Sequence, residues 1–433
     1  TTYTFTLRDG LTFHDGAPVT AEDVVASIKR WGQKDSMGKL LMSVTKDLRA
    51  VDEKTFVLEL AEPYGLVLQS LGKPSSYLPA IMPEDAAATP PDKAIESKVG
   101  SGPYKLLEWR PGAGMTYERN PDYQPRAESP NGLAGGKTVY LDRVEWIIVP
   151  DRATQKAGVE TGEFHYVENP SNDDYDALSK NPNIHAFILK LGQQPWGRFN
   201  HLHPPFDNKW ARRALQAAMN QPDYLAAAYG PSTFWQPCPA VFGCGGPWET
   251  DAGGTEAVTQ DLELAKRSWA QSGYDGRPIV VMAPTDLPAL YNAALVDKEL
   301  LEQLGAKVDF QAMDWATLVA RRAEKKAPAE GGWNLFPTSW VFYDISNPVV
   351  NQGLGPWFGW YESEQMNSLV KQWSQAVDPA QQKRLIDEIQ ELFYEDVPYL
   401  NRGKFTTFRA ARNDVKGILE LDIPVLWNIW LDR

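Results

Sequence analysis

The chain has 433 residues, enough for two or three domains or one large two-lobed body. Its 43 lysines and arginines against 56 acidic residues leave a formal charge of −13, which argues against a nucleic-acid partner because phosphate binding needs a basic face. No apolar run approaches the roughly 20 residues that a membrane-spanning helix requires. The two cysteines, Cys238 and Cys244, stand in a Gly/Pro-rich stretch whose spacing suits a local disulfide and an oxidising compartment, with two free thiols as the alternative.

In chain order, Tyr3, Phe5 and Leu7 alternate with Thr4, Thr6 and Arg8, which predicts a strand turning at Asp9-Gly10. A second short strand is expected over 11–14. Thr20 to Asp23 has the form of a capping box before the apolar helix face of Val24, Val25 and Ile28. A strand follows over 55–60, then a short helix over 66–71 and a loop over 86–98. Strands are expected over 104–109, 115–119 and 144–149, and a helix over 151–162 ends at glycine before a strand at 164–167.

The character changes near Lys190. Residues 209–219 read as an amphipathic helix, 279–282 as an all-apolar strand, 291–304 as a helix and 308–310 as a strand. This alternation implies a partly parallel sheet. Leu385, Ile386, Ile389, Leu392 and Phe393 form one buried stripe on a late helix.

Several of these stretches resemble the family 5 extracellular solute-binding proteins, the large receptors of peptide, nickel and opine ABC importers. The resemblance is carried by YTFTLRDGLTFHDGAPVTAEDVV from Tyr3, by Gly100 to Tyr104, by NHLHPPFDNKWARRALQAA from Asn200 and by FYEDVPYL from Phe393. It implies an α/β fold of the two-lobed periplasmic-binding-protein type II (cluster C) with an extra small α+β domain. The implied division is 1–100 for the small domain, 101–190 with 403–433 for lobe I, and 191–402 for lobe II. It further implies an amino-terminal piece and a secretory signal ahead of Thr1, a periplasmic location, a monomer, a membrane permease as partner and no cofactor.

Candidate ligand contacts concentrate after residue 190. The segment Gly353 to Trp360 combines glycines with Trp357 and Trp360, flat indoles suited to a cavity wall, and Trp196, Trp235 and Trp340 are set beside them, with structural bulk as the alternative for each. In peptide-binding relatives an aspartate shortly after such a tryptophan holds the peptide amine. Here Tyr343 takes that place, with Asp344 next to it. Where dipeptide binders carry an arginine, residues 283–288 hold no basic side chain. Arg198, in the stretch running to Asn200, is therefore the substitute candidate for a carboxylate, a surface ion pair being its alternative. His201 and His203 form a weak metal pattern, read instead as solvent-facing residues, and no metal site is expected. The rival class is a secreted glycoside hydrolase. It has carboxylates in plenty, but no motif sets two of them at catalytic separation, so no catalytic residue is assigned.

Overall fold

The structure, a computed structural model, describes residues 1–432. Two compact units emerge. One comprises 1–189 with the chain from Phe408 onward and the other Lys190–Thr407, so the chain passes between them twice.

The first unit opens with β1 (Thr2–Thr6), α1 (Ala21–Trp31), α2 (Ser36–Val44), β2 (Thr45–Ala50) and β3 (Thr55–Leu60). β3 lies between β1 and β2, antiparallel to both. Its period-2 pattern buries Phe56, Leu58 and Leu60, and α1 packs on the sheet with Val24, Val25 and Ile28 buried. The start of α1 is closed as its sequence requires. The Thr20 hydroxyl accepts from the Asp23 amide at 3.3 Å, and the Asp23 carboxylate accepts from the Thr20 amide at 2.8 Å.

The expected strand over 11–14 is only a bridge from Thr12 to Pro18. Its backbone groups are used elsewhere, since the Phe13 amide bonds Ala17 and the His14 amide bonds Gly100. The His14 ring also joins that loop, accepting from the Gly100 amide and donating to the Gly102 carbonyl.

Helices α3 (Val67–Leu71) and α4 (Glu84–Ala87) follow, α4 lying across the start of a stretch expected to be loop. Strands β4 (Tyr104–Arg110), β5 (Gly114–Arg119) and β6 (Arg143–Ile147) form an antiparallel sheet in that order. Then come α5 (Arg152–Thr161), β7 (Tyr166–Val167), α6 (Tyr175–Ser179) and β8 (Ile184–Ile188). Gly162 ends α5 at φ 87°, the left-handed conformation that glycine adopts without strain. The returning strand Phe408–Arg412 pairs between β7 and β8. A cavity of about 710 Å³ in this unit is lined by residues of β6, α5 and β7 together with Leu426, Ile429 and Leu431, and it contains none of the candidate site residues.

The second unit contains β9 (Gln193–Phe199), α7 (Lys209–Ala218), α8 (Gln221–Tyr229), β10 (Trp235–Gln236), α9 (Leu262–Gln271), β11 (Ile279–Pro284), α10 (Pro288–Gln303), β12 (Val308–Met313), α11 (Trp315–Arg321), β13 (Leu335–Val341), α12 (Glu364–Gln375), α13 (Pro379–Asp396), β14 (Tyr399–Asn401) and β15 (Lys404–Phe405). Its seven-stranded sheet runs β10-β15-β9-β13-β11-β12, with β14 also on β9. β11 is parallel to β12 and β13, while β9 runs antiparallel to β13.

Every residue of β11 is buried because both faces of the sheet are covered. Ile279, Val281 and Ala283 meet the core built with α7, α9 and α10, while Val280 and Met282 meet Leu318, Trp333 and Phe336 on the other face. The stripe of Leu385, Ile386, Ile389, Leu392 and Phe393 is buried on α13. Cys238 and Cys244 are joined by a disulfide, both side chains buried.

Candidate functional site

The segment Gly353 to Trp360 is organised by Arg198, a fully buried residue of β9. Its Nε donates to the Phe358 carbonyl at 2.6 Å. Nη1 donates to Gly353 at 2.9 Å and Pro398 at 3.3 Å, and Nη2 to Gly355 at 3.1 Å and Trp357 at 2.9 Å. A guanidinium has five N–H donors, and all five are used. Arg198 is therefore neither a surface ion pair nor a free carboxylate fork: it is the post on which the loop is hung.

Two glycines allow the segment to pack this closely. A Cβ on Gly359, at φ 115°, lies 2.6 Å from the Arg198 Nε and 2.3 Å from the Phe199 carbonyl, and one on Gly353 strikes the Tyr399 ring. Only glycine lets this backbone come so close. Burial pushes the Arg198 guanidinium down to about 9, which leaves it charged at neutral pH.

Held in this way, the loop presents an aromatic shelf. The Trp357 ring stands 5.1 Å from Trp340 in an edge-on arrangement, 5.2 Å from Phe358 and 6.2 Å from Phe336. Trp340 leans in turn on Trp196, which is wholly buried, stacks on Tyr399 at 3.8 Å and donates its indole N–H to Gln194. Trp360 packs on buried Trp333 at 5.8 Å. Trp340, Trp357, Phe358 and Trp360 remain partly exposed, so the structure brings these together as a surface and assigns Trp196 to the layer beneath. Such a shelf offers flat apolar faces for stacking, with rigid support from below.

The other candidates fall elsewhere. Asn200 is buried, accepting from the Leu202 amide and donating to the Trp333 carbonyl. Trp235 lies at the far end of the sheet order, paired with Phe405, its indole N–H given to Gly230. Tyr343 and Asp344 belong to a 3-10 turn, Phe342–Asp344, directly after β13, so the alternation of a strand does not decide which of them points to a ligand. Asp286, past the end of β11, accepts from the Trp315 amide at 2.8 Å.

His201 and His203 each bond a main-chain carbonyl, of Pro398 and Lys325. The solvent-facing expectation fails for His201, which packs against Tyr361 and Phe199 and is held neutral by burial and by the charges of Arg212 and Arg198. Among the described residues no group of three or more His, Cys, Asp or Glu is placed to hold a metal ion.

Two members of the shelf escaped sequence reasoning, Phe358 and Arg322. The Arg322 guanidinium lies 5.1 Å from the Trp357 ring centroid and 4.6 Å from that of Phe358. Nothing in the Arg321-Arg322 doublet separates the two. Arg321 bonds Gln311 and the Gly331 and Gly332 carbonyls, and only the fold sends its neighbour to the aromatic rings.

This architecture is that of the periplasmic binding proteins. The agropinic-acid complex of AgaA from A. tumefaciens R10 superposes with a TM-score of 0.81 at 22% identity, covering 100% of this chain and 87% of that one. DppA from Helicobacter pylori, in complex with the peptide STSA, gives 0.81 at 22% identity, covering 100% and 86%.

Sequence places the chain more narrowly. It matches the profile of the bacterial extracellular solute-binding proteins, family 5, over residues 1–360, and the chain belongs to that family. It is 36% identical over 451 residues to a probable peptide ABC transporter periplasmic-binding protein, y4tO, of Sinorhizobium fredii, covering 99% of this chain and 82% of the relative. The glutathione-binding protein GsiB of Escherichia coli K12 is 27% identical over 427 residues, covering 92% and 77%. Family and relatives alike are substrate-binding receptors rather than enzymes.

Proposed function

We propose that this receptor captures a short peptide in the periplasm and delivers it to the membrane permease of an ABC importer, with no chemistry performed on the solute. The observation that carries the peptide reading is the 36% identity to a probable peptide-binding protein, which extends over 99% of the chain. The shelf of Trp340, Trp357 and Phe358 supports it, since aromatic faces accept side chains of varied shape without demanding one hydrogen-bond pattern. In this reading the lobes 101–190 with 403–433 and 191–402 close on the solute about the two crossings, and 1–100 forms the extra domain. Binding energy then serves to favour the closed state that the permease recognises. No helix among the described residues is long and apolar enough to cross a membrane.

A non-peptide solute, an opine, a sugar or another small organic molecule, is the second reading. It is favoured by one observation: Arg198, the substitute for the missing peptide-carboxylate anchor, has no N–H to spare. Native mass spectrometry of the purified protein, followed by release and weighing of whatever accompanies it, separates the two. A ladder of masses spaced by amino-acid residues is expected. A single discrete non-peptide mass refutes the peptide reading.

A further inference from the structure

We propose that Arg322 is the anchor for a carboxylate group of the solute, with the Trp340 indole N–H as a second donor to the same ligand. This rests on the receptor reading above and specifies the charge of what the shelf accepts.

The buried arginines of the second unit show what the fold does with a guanidinium it uses for itself. Arg198 donates to five carbonyls, Arg212 to the carbonyls of Phe206, Asp396 and Val397, and Arg402 to the Trp196 carbonyl and the Asp297 carboxylate. Arg322 is treated differently. Its guanidinium has two aromatic neighbours, Trp357 and Phe358, and makes no hydrogen bond or ion pair among the described residues, although its Nε is buried. Ring faces attract the cation but supply no oxygen to its five N–H donors. Desolvation pushes its proton affinity below the ordinary value, with no acid beside it to oppose the shift.

The second donor belongs to the indole next to Trp357. Trp340, 5.1 Å from the Trp357 centroid, buries its Nε1 without a partner, as does Trp373, which packs on Trp248, whereas Trp196, Trp235 and Trp333 donate theirs. A buried N–H left unmade is costly, and two around one ring call for acceptors that the chain itself does not provide. A carboxylate answers both. It brings one negative charge and two oxygens, suits the planar guanidinium fork, and places no polyanion on a chain of net charge −13.

The test uses tryptophan fluorescence titrations of the wild-type protein, Arg322→Gln and Arg322→Lys. The probes are a panel of tripeptides and of N-acyl amino acids, each as the free acid and as the carboxamide. The wild type is expected to bind an acid at least about tenfold more tightly than its amide, the size of a charge-assisted hydrogen bond. Arg322→Gln should erase that acid-over-amide difference, with Arg322→Lys between them. A purely structural role of Arg322 moves acid and amide together and overturns the proposal.

The two readings fail separately. Acid-selective, Arg322-dependent binding confined to the N-acyl amino acids sinks the peptide reading and upholds Arg322. Tripeptide binding indifferent to amidation does the reverse. A wild type that binds nothing in the panel overturns both.

Discussion

Arg198→Met is the sharpest test of how the shelf is built. The substitution keeps apolar bulk at a fully buried position and deletes five donors, so the carbonyls of Gly353, Gly355, Trp357, Phe358 and Pro398 each lose a bond. A neutral bond contributes about 1 kcal/mol net, and a buried acceptor left empty costs about 1–3 kcal/mol. The losses overlap because the loop relaxes as one piece, and removing a desolvated charge offsets some of them. A net destabilisation of about 3–5 kcal/mol is therefore expected, the scale of breaking a buried ionic network. Urea unfolding should show it, and hydrogen exchange of the 353–360 amides should accelerate by more than about a hundredfold, since Arg198 holds four of the segment's carbonyls, those of Gly353, Gly355, Trp357 and Phe358. Arg198→Lys should recover part of the loss, having at most three donors in the same space. Unchanged stability and unchanged exchange, combined with abolished ligand binding, refutes this account and restores Arg198 as a ligand anchor.

Three further outcomes follow from other contacts. Asp297→Asn strands the Arg402 guanidinium in the interior, both side chains of the pair being at most 1% exposed, and should cost about 3–5 kcal/mol in chemical denaturation. His201 takes a proton well below its ordinary 6.5 because it is buried beside Arg212 and Arg198, so below pH 6.5 the unfolded chain binds more protons than the folded one. Its contribution is complete above pH 6.5 and is lost as the pH falls; His201→Gln, neutral throughout, should flatten the fall in unfolding free energy between pH 6.5 and roughly 5. Replacing Cys238 and Cys244 by alanine opens a loop with a sequence separation of 6, for which loop-closure entropy gives a loss of about 2 kcal/mol. That change should lower the melting temperature and leave the mass of any bound solute unaltered.

What the sequence determined by itself is local or periodic. The Thr20–Asp23 box lies within four residues, the stripe on α13 repeats with the helix, and β11 announces its two covered faces by carrying no polar side chain. Family membership was legible too, because the stretches that carried it are contiguous runs of residues. What only the tertiary structure decided is where the polar atoms of distant segments meet. The role of Arg198 depends on carbonyls 155 to 200 residues further along the chain, and a backbone carbonyl has no letter of its own in a sequence. The glycines of 353–360 announced a close approach, and only the fold showed that Gly359 approaches Arg198 and Gly353 the Tyr399 ring. Arg321 and Arg322 are adjacent and chemically identical, yet one is tied to Gln311 and two carbonyls while the other is left to the rings of Trp357 and Phe358. Hydrogen bonding and burial are properties of neighbourhoods in space, and a chain brings such neighbours together only once it has folded.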